Sequence, residues 1–190
     1  FGILQSLNRY LEKNNPSSPL GIHLKLDTGM HRLGFLISEK EELIQTLLTC
    51  SRLEVKSLMT HLAAAEDPQQ DAFTEKQLTV FHAFAQQLED DLQIHPLRHA
   101  LNTAGMIRHS SFSGSMVRLG IGLYGVDPSS NIQDRLHQVS RLKTIISQVK
   151  SLQPGDTVGY GRVGVVNKAT QVGTIAIGYA DGIGRQFGNG

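Results

Sequence analysis

The chain has 190 residues, of which 39% are hydrophobic and 18% are charged, and its formal net charge is +1. This length is typical of about one to one and a half globular domains. The net charge argues against a nucleic-acid-binding protein. No run approaches the ~18 consecutive apolar residues of a membrane span. The single cysteine, Cys50, fits a reducing cytosol, and the start at Phe1 without a signal peptide leads us to expect a piece of a longer protein.

Apolar runs of strand length alternate with helical patterns in the first two thirds of the chain. Apolar residues at helical spacing from Ile3 to Leu11 predict a short amphipathic helix. Four later runs predict strands, at 21–27, 53–59, 94–102 and 116–121. Ser38 and Glu41 form a capping-box pattern that predicts a helix after the first run. A stripe from Phe73 to Leu88 predicts a second helix, with Thr74 as one possible start.

This alternation predicts βα units around a parallel sheet. Four units are half of a (β/α)₈ barrel. After about residue 131 the pattern changes to short β-branched runs at 139–149 and 163–177, with a turn signal at 154–156. We therefore predict an α/β protein, the second half of a TIM (β/α)₈ barrel over residues 1–133 followed by the start of an all-β domain over residues 134–190.

Polar groups collect where the predicted strands end, which is where βα barrels carry their functional residues. They are cations, one imidazole, small hydroxyls and glycine amides, a set that suits a small anion with a phosphate and a carboxylate: Lys25, Asp27, Arg32, His61, Asn102, Thr103 and 118–121. Amides near Gly120 and Ile121, with the Thr103 hydroxyl, could hold a phosphate. A plain turn explains such a glycine pattern more often than a phosphate site does, and an isolated arginine such as Arg32 lies on the surface at least as often as it binds a carboxylate.

Several residues have an ordinary structural interpretation. His61 at the end of an apolar strand is more often a core or surface histidine than a catalytic one. His95 and His99 have the spacing of a metal pair, but they lie in a run broken by Pro96 and lack a Cys or acidic partner, so we predict no metal site. Cys50 is predicted to serve packing.

Six strings, taken in order, resemble the bacterial alanine racemases, which are pyridoxal-phosphate enzymes of fold type III. They are HLKLDTGMHRLGF at 23–35, THLAAAEDP at 60–68, LNTAGMIRH at 101–109, VRLGIGLYG at 117–125, VGYGR at 158–162 and GTIAIGYADGIGR at 173–185. The resemblance implies a cytoplasmic bacterial homodimer that interconverts L-alanine and D-alanine for peptidoglycan synthesis. Each β domain would lend a tyrosine to the barrel of its partner.

The resemblance also assigns roles to residues of the acid–base machinery. Tyr160 matches the tyrosine base for one enantiomer, and His61 and Arg118 match the residues that support it. Arg118 also matches the arginine that faces the pyridine nitrogen of the cofactor, where a guanidinium keeps its proton.

Further matches concern cofactor and substrate binding. Thr103, Gly120 and Ile121 match the phosphate-holding positions, and we assign Asn102 to the cofactor with them. Substrate and support positions are matched by Arg32 for the substrate carboxylate, Tyr179 for the approach to the site, and Lys25 for a lysine that is carbamylated in some members and braces that arginine.

One departure concerns the cofactor lysine, which in this family lies in a Lys-Ala-Asn-Ala-Tyr-Gly type motif. No such motif occurs here. We therefore expect the chain to lack the Schiff-base lysine, the first barrel strands and the far end of the β domain, and to have little or no racemase activity alone. Half a barrel has an open sheet edge, so we also expect instability or aggregation.

Three alternatives stay open. The enzyme could racemise another small amino acid such as serine. The chain could be a non-catalytic module that binds the cofactor or an amino acid. A parent protein could also fuse the racemase to a cell-wall ligase.

Overall fold

The computed structural model describes residues 1–112 and 114–187, which divide into a first unit, Phe1–Val139, and a second unit from Ser140 onward. The predicted boundary near residue 133 lies within the first unit. The helices and strands of the first unit are α1 Gly2–Asn14, β1 Leu20–Lys25, α2 Lys40–Thr49, β2 Leu53–Met59, α3 Asp71–Leu92, β3 Leu97–His99 and α4 Thr103–Arg108. Those of the second unit are β4 Ile146–Leu152, β5 Thr157–Val158, β6 Gly164–Val165 and β7 Thr170–Ile175.

The first unit is built on a parallel sheet in the order β1-β2-β3, with helices between consecutive strands. This confirms the predicted α/β class and its βα units. Lys25 is paired with Met59, and Met59 with His99, so the three strands end in register. Because the carboxyl ends of parallel strands meet at one edge, the loops that leave β1, β2 and β3 start side by side.

The core lies between one face of this sheet and the helices. Leu24 and Leu26 alternate along β1 toward this side, and the predicted stripe of α3 supplies an apolar helix face. The largest apolar side chains of this core are fully or almost fully buried: Leu24, Leu26, Leu43, Leu58, Phe81, Phe84 and Leu88. His23 and Lys25 alternate with these leucines, so polar side chains lie on the opposite face.

The last two predicted strands of the first unit require correction. The third pairs only over Leu97–His99, because Pro96 cannot donate to a ladder and Asn102 already caps α4. The fourth, 116–121, forms no strand. Among the described residues, its neighbourhood makes two separate backbone–backbone hydrogen bonds with β3 and the loop after it, Ser115 N–H to Arg98 O (2.8 Å) and Arg118 N–H to Leu101 O (3.0 Å). A 3₁₀ turn then begins at Ile121.

The predicted capping pattern of α2 is also wrong. The helix begins at Lys40 after a 3₁₀ turn over Ile37–Glu39, which contains Ser38. The Glu39 carboxylate accepts a hydrogen bond of 2.7 Å from the Leu36 amide and closes this entry turn. Glu39 therefore takes the role that we expected of Glu41, two residues earlier in the chain.

The start of α3 lies before the predicted one. A 3₁₀ turn over Pro68–Gln70 precedes the helix, and the Asp67 carboxylate accepts from the Gln69 amide at 2.9 Å. Thr74 lies inside the helix and is fully buried. Asp67 and Pro68 are therefore the start signal of this helical segment, which a prediction based on the apolar stripe alone does not include.

The described part of the second unit contains strands and 3₁₀ turns, in agreement with the predicted β-rich pattern. β4 pairs antiparallel with β7, and β5 with β6. The predicted turn at 154–156 is present: Gly155 has φ +95° and its amide donates to Val166 O at 2.9 Å. The strand predicted at 139–149 instead runs over Ile146–Leu152, where β7 provides a partner. No described helix in either unit is long and apolar enough to cross a membrane.

Candidate functional site

The candidate site lies at the carboxyl edge of the β1-β2-β3 sheet. Six of the residues predicted from the sequence line one cleft of about 340 Å³ there: His61, Asn102, Thr103, Arg118, Gly120 and Ile121. This volume falls within the range of roughly 300–1,000 Å³ that small-molecule sites occupy. The loops after β2 and β3 and the segment after α4 thus converge as the strand-end argument predicted.

Arg118 is the most densely bonded side chain of the cleft. Its Nη2 donates to Thr60 O at 2.6 Å and to Ala100 O at 3.0 Å, and its Nη1 donates to His99 O at 3.1 Å. These carbonyls belong to the residues where β2 and β3 end. The planar guanidinium therefore ties two strand ends together, and its orientation is fixed by the backbone.

Two imidazoles complete the surroundings of Arg118. His99 Nδ1 lies 2.6 Å from Nη1, and His61 Nδ1 lies 3.3 Å from Nη2. Because a guanidinium only donates, both Nδ1 atoms accept, so both rings carry their proton on Nε2. Nη2 has two hydrogens for three acceptors, so its longer bond to His61 shares a hydrogen with one of the carbonyls. Among the described residues, Arg118 Nε makes no hydrogen bond, so this N–H is available to a ligand in the cleft.

The charges around both rings keep them neutral. Burial, followed by the positive charge of Arg118 and the nearby His23 ring, lowers the pKa of His99 to about 4. Burial and the positive charges of Arg118, Arg32 and Lys25 lower the pKa of His61. A neutral His61 with its proton on Nε2 is a hydrogen-bond donor at physiological pH.

The other end of the cleft is organised by Thr103. Its hydroxyl accepts from the amides of Gly120 (3.1 Å) and Gly122 (3.2 Å), which draws the glycine segment onto the start of α4. A Cβ at Gly122 would lie 2.8 Å from Thr103 Cγ2, so this approach requires glycine. Asn102 caps α4, since its Oδ1 accepts from the Gly105 amide at 2.8 Å.

Lys25 and Arg32 lie outside the residues that line the cleft. The loop after β1 is closed by two bonds, Phe35 N–H to Lys25 O (2.9 Å) and Asp27 N–H to Phe35 O (2.8 Å), and Arg32 is exposed on it. Gly34 has φ +115° and no room for a Cβ against Lys25 O, so glycine closes this loop. Burial lowers the pKa of Lys25, and the charges of Arg32 and Arg118 lower it further, against the opposing effect of Asp27.

Tyr160 and Tyr179 belong to the second unit. Tyr160 lies between Gly159 (φ +81°) and Gly161 (φ +67°), whose positive φ angles favour glycine, and Tyr160 is 98% exposed. Tyr179 begins a 3₁₀ turn and is 67% exposed. The predicted string at 173–185 lies within the described residues, although the side chain of Arg185 does not.

The sequence reasoning missed four polar residues behind the cleft. Gln77 is fully buried in α3; its Nε2 donates to His61 O (3.2 Å) and its Oε1 accepts from the Ala63 amide (3.0 Å). His99, Ser57 and His23 form a second group on the open face of the sheet. His99 had a signal, since it stands at a strand end, but we weighed it only as a metal ligand. Within 1–112 and 114–187, no three His, Cys, Asp or Glu side chains are grouped to hold a metal.

Comparisons with known proteins place both units in one family. The model of the alanine racemase N-terminal domain matches residues 3–128, and that of the alanine racemase C-terminal domain matches residues 139–190. The chain is 38% identical over 179 residues to an alanine racemase of Helicobacter acinonychis, a match that covers 90% of this chain and 47% of that protein. The chain thus spans about half the length of the curated relatives it matches.

Solved structures agree with this. The structure of alanine racemase from Streptomyces coelicolor A3(2) matches with a TM-score of 0.86 and 27% identity, covering 97% of this chain and 50% of that one. That of alanine racemase from Bartonella henselae, with covalently bound pyridoxal phosphate, matches with a TM-score of 0.77 and 29% identity, covering 96% and 49%.

Proposed function

The chain belongs to the alanine racemase family, and we propose that its first unit holds pyridoxal phosphate for the interconversion of L-alanine and D-alanine. The observation that carries this proposal is Arg118, fixed by three backbone carbonyls at the end of the sheet while its Nε–H stays unused among the described residues. The match covers about half of each relative, so the activity, the substrate and the partner are parts of the proposal.

The residues of the cleft fit a ligand with a ring nitrogen and a phosphate. Arg118 Nε–H suits the nitrogen. The segment beside Thr103 suits the phosphate: the Gly120 and Gly122 amides donate to the Thr103 hydroxyl, and the Ile121 amide between them and the hydroxyl proton are, among the described residues, left for a ligand. Asn102 fixes the start of α4 next to it. When bound, pyridoxal phosphate supplies the electron sink that makes the α-proton of an amino acid acidic.

Arg118 would hold the ring nitrogen without protonating it. Burial lowers the pKa of Arg118, but a guanidinium starts so far above neutrality that it keeps its proton. It therefore donates a hydrogen bond and leaves the nitrogen an acceptor. This limits the strength of the electron sink and disfavours side reactions that need a longer-lived carbanion.

Proton transfer on one face of the substrate is assigned to Tyr160. A tyrosine has an ordinary pKa of about 10 and needs hydrogen-bond donors to act as a base near neutrality. The Nε2–H of His61 is such a donor, because Arg118 occupies the other ring nitrogen. We propose that Tyr160 reaches the cleft of a partner subunit, where His61 and Arg118 stabilise its phenolate.

The remaining assignments follow the same logic. Arg32 would bind the substrate carboxylate through its fork, with Lys25 behind it, and Tyr179 would line the approach to the site. We propose that the three-stranded sheet belongs to a barrel, that the protein is a cytoplasmic homodimer, and that its D-alanine serves cell-wall synthesis.

A second candidate function is a non-catalytic module that binds the cofactor. Both are tested by titrating pyridoxal phosphate into the chain, followed by ³¹P NMR, together with α-proton exchange of L- and D-alanine. Binding with exchange supports the racemase, and binding without exchange from either enantiomer supports the module. No binding, or binding unaffected by Thr103→Val, would overturn the proposed site.

A further inference from the structure

A row of polar side chains crosses the open face of the sheet and ends at Arg118. His23 Nδ1 lies 2.5 Å from Ser57 Oγ, and Ser57 Oγ lies 3.0 Å from His99 Nε2. His99 Nδ1 lies 2.6 Å from Arg118 Nη1. The row thus contains one residue from each of β1, β2 and β3, followed by the arginine of the cleft.

A bulge places His23 in this row. Along β1 and β2, Ile22 pairs with Val55, but the next residue, His23, pairs with Ser57, so the register skips Lys56. Bulges re-aim side chains at functional edges of sheets. Without this shift, His23 would be opposite Lys56 instead of the serine.

The donors and acceptors along the row have one consistent direction. Arg118 only donates, so His99 Nδ1 accepts and His99 Nε2 carries the proton. That Nε2–H must donate to Ser57 Oγ, which leaves the serine hydroxyl to donate to His23 Nδ1. We propose that Ser57 and His23 are positioning residues: by taking up the His99 Nε2–H they hold the imidazole ring where its Nδ1 accepts from Arg118.

The opposite arrangement would disturb Arg118. If the Ser57 hydroxyl donated to His99 Nε2, the His99 proton would move to Nδ1 and two N–H groups would face each other at the guanidinium. His23 prevents this because it offers the hydroxyl a better-placed acceptor. Ser57 is fully buried and His99 is 2% exposed, so water is not available to take over the bond between them.

This inference rests on the proposed function for its consequence, since Arg118 matters to catalysis if it faces the ring nitrogen of the cofactor. The geometry of the row stands without any ligand. A shift of Arg118 by a fraction of an ångström would misalign the Nε–H that serves the ligand, and such misplacements are felt in the rate more than in binding.

The first test reads the tautomers directly. Long-range ¹H–¹⁵N NMR of the histidine-labelled chain at pH 8, where a free imidazole is neutral, assigns the protonated nitrogen of each ring. We expect the proton on Nε2 for both His99 and His23. A proton on His99 Nδ1, or a charged His99 ring, would overturn the proposal without any variant.

The second test separates positioning from folding. Ser57→Ala removes the acceptor of the His99 Nε2–H and should shift the ¹⁵N signal of that nitrogen, and Ser57→Thr, which keeps the hydroxyl, should restore the wild-type signal. Equal His99 spectra in all three proteins would contradict the proposal.

Pyridoxal phosphate binding, measured on the same samples, keeps the two proposals apart. Expected tautomers without cofactor binding would contradict the proposed function and leave the row as an established positioning device for Arg118. Cofactor binding with the opposite His99 tautomer would contradict the row and leave the proposed function intact.

Discussion

Arg118 Nη1 donates to His99 Nδ1 across 2.6 Å, and this bond decides the protonation of a buried histidine. An arginine cannot accept, so a proton on His99 Nδ1 would cost the bond and place two donors in contact. The cation therefore keeps the imidazole neutral, and the neutral imidazole in turn orients the cation.

The first prediction is a pH dependence of stability from His99. Its pKa is about 4 in the folded chain, whereas an unfolded imidazole titrates near 6.5. Between these values the unfolded state binds more protons, so the free energy of unfolding should fall as the pH drops from about 6.5 to 4, on the order of 3 kcal/mol in total. Urea unfolding at a series of pH values measures this.

The control is His99→Gln, which cannot titrate. Its free energy of unfolding should vary less with pH across the same window than that of the wild type. Equal slopes for the two proteins would show that His99 does not titrate as described.

The second prediction concerns Arg118→Lys. A lysine keeps the charge but cannot reach carbonyls on two strands at once, so buried acceptors lose their partner. We expect a loss of about 2–3 kcal/mol in unfolding free energy and weaker pyridoxal phosphate binding. Arg98→Lys is the matched control, because Arg98 lies outside the cleft, where its Nε donates to the Glu89 carboxylate at 2.5 Å. This variant should leave cofactor binding unchanged.

The third prediction separates the two parts of the Thr103 side chain. Thr103→Val removes the hydroxyl that accepts from Gly120 and Gly122, so the glycine segment should loosen and pyridoxal phosphate affinity should fall about tenfold, equal to about 1.4 kcal/mol. Thr103→Ser keeps the hydroxyl and should bind within about threefold of wild type. A fluorescence titration measures both, and equal affinities for the valine and serine variants would disprove the role.

The fourth prediction tests Gln77 as the clamp of the loop after β2. Gln77→Leu leaves His61 O and the Ala63 amide without their buried partner, and we expect a loss of about 2–3 kcal/mol in unfolding free energy. Gln87→Leu, at an exposed position of the same helix, should stay within about 0.5 kcal/mol of wild type. A Gln77→Leu protein as stable as Gln87→Leu would contradict the clamp.

The parts of the fold that could be predicted are those set by local pattern. Phe81, Phe84 and Leu88 of the predicted stripe form the buried face of α3 because helical spacing decides which side packs, whereas Phe73 at its start is 38% exposed. The segment 116–121 was misassigned because its apolar residues fit a strand, while pairing depends on partners that a local pattern does not contain.

The candidate site divides in the same way. Arg118, Thr103 and His61 could be found because they stand at strand ends or in short motifs. Gln77 gave no signal, since a glutamine inside an amphipathic helix looks like any surface residue until its burial is known. His23 depends on a bulge that shifts its register, which the sequence does not display.

The most direct measurement is the ¹⁵N NMR signal of pyridoxal phosphate labelled at its ring nitrogen and bound to the chain. If Arg118 donates Nε–H to this atom, the signal should be that of an unprotonated pyridine that accepts a hydrogen bond, and it should be unchanged in Arg98→Lys. A pyridinium signal, or a spectrum identical to that of the free ligand, would contradict the assignment of this cleft as the cofactor site of a racemase.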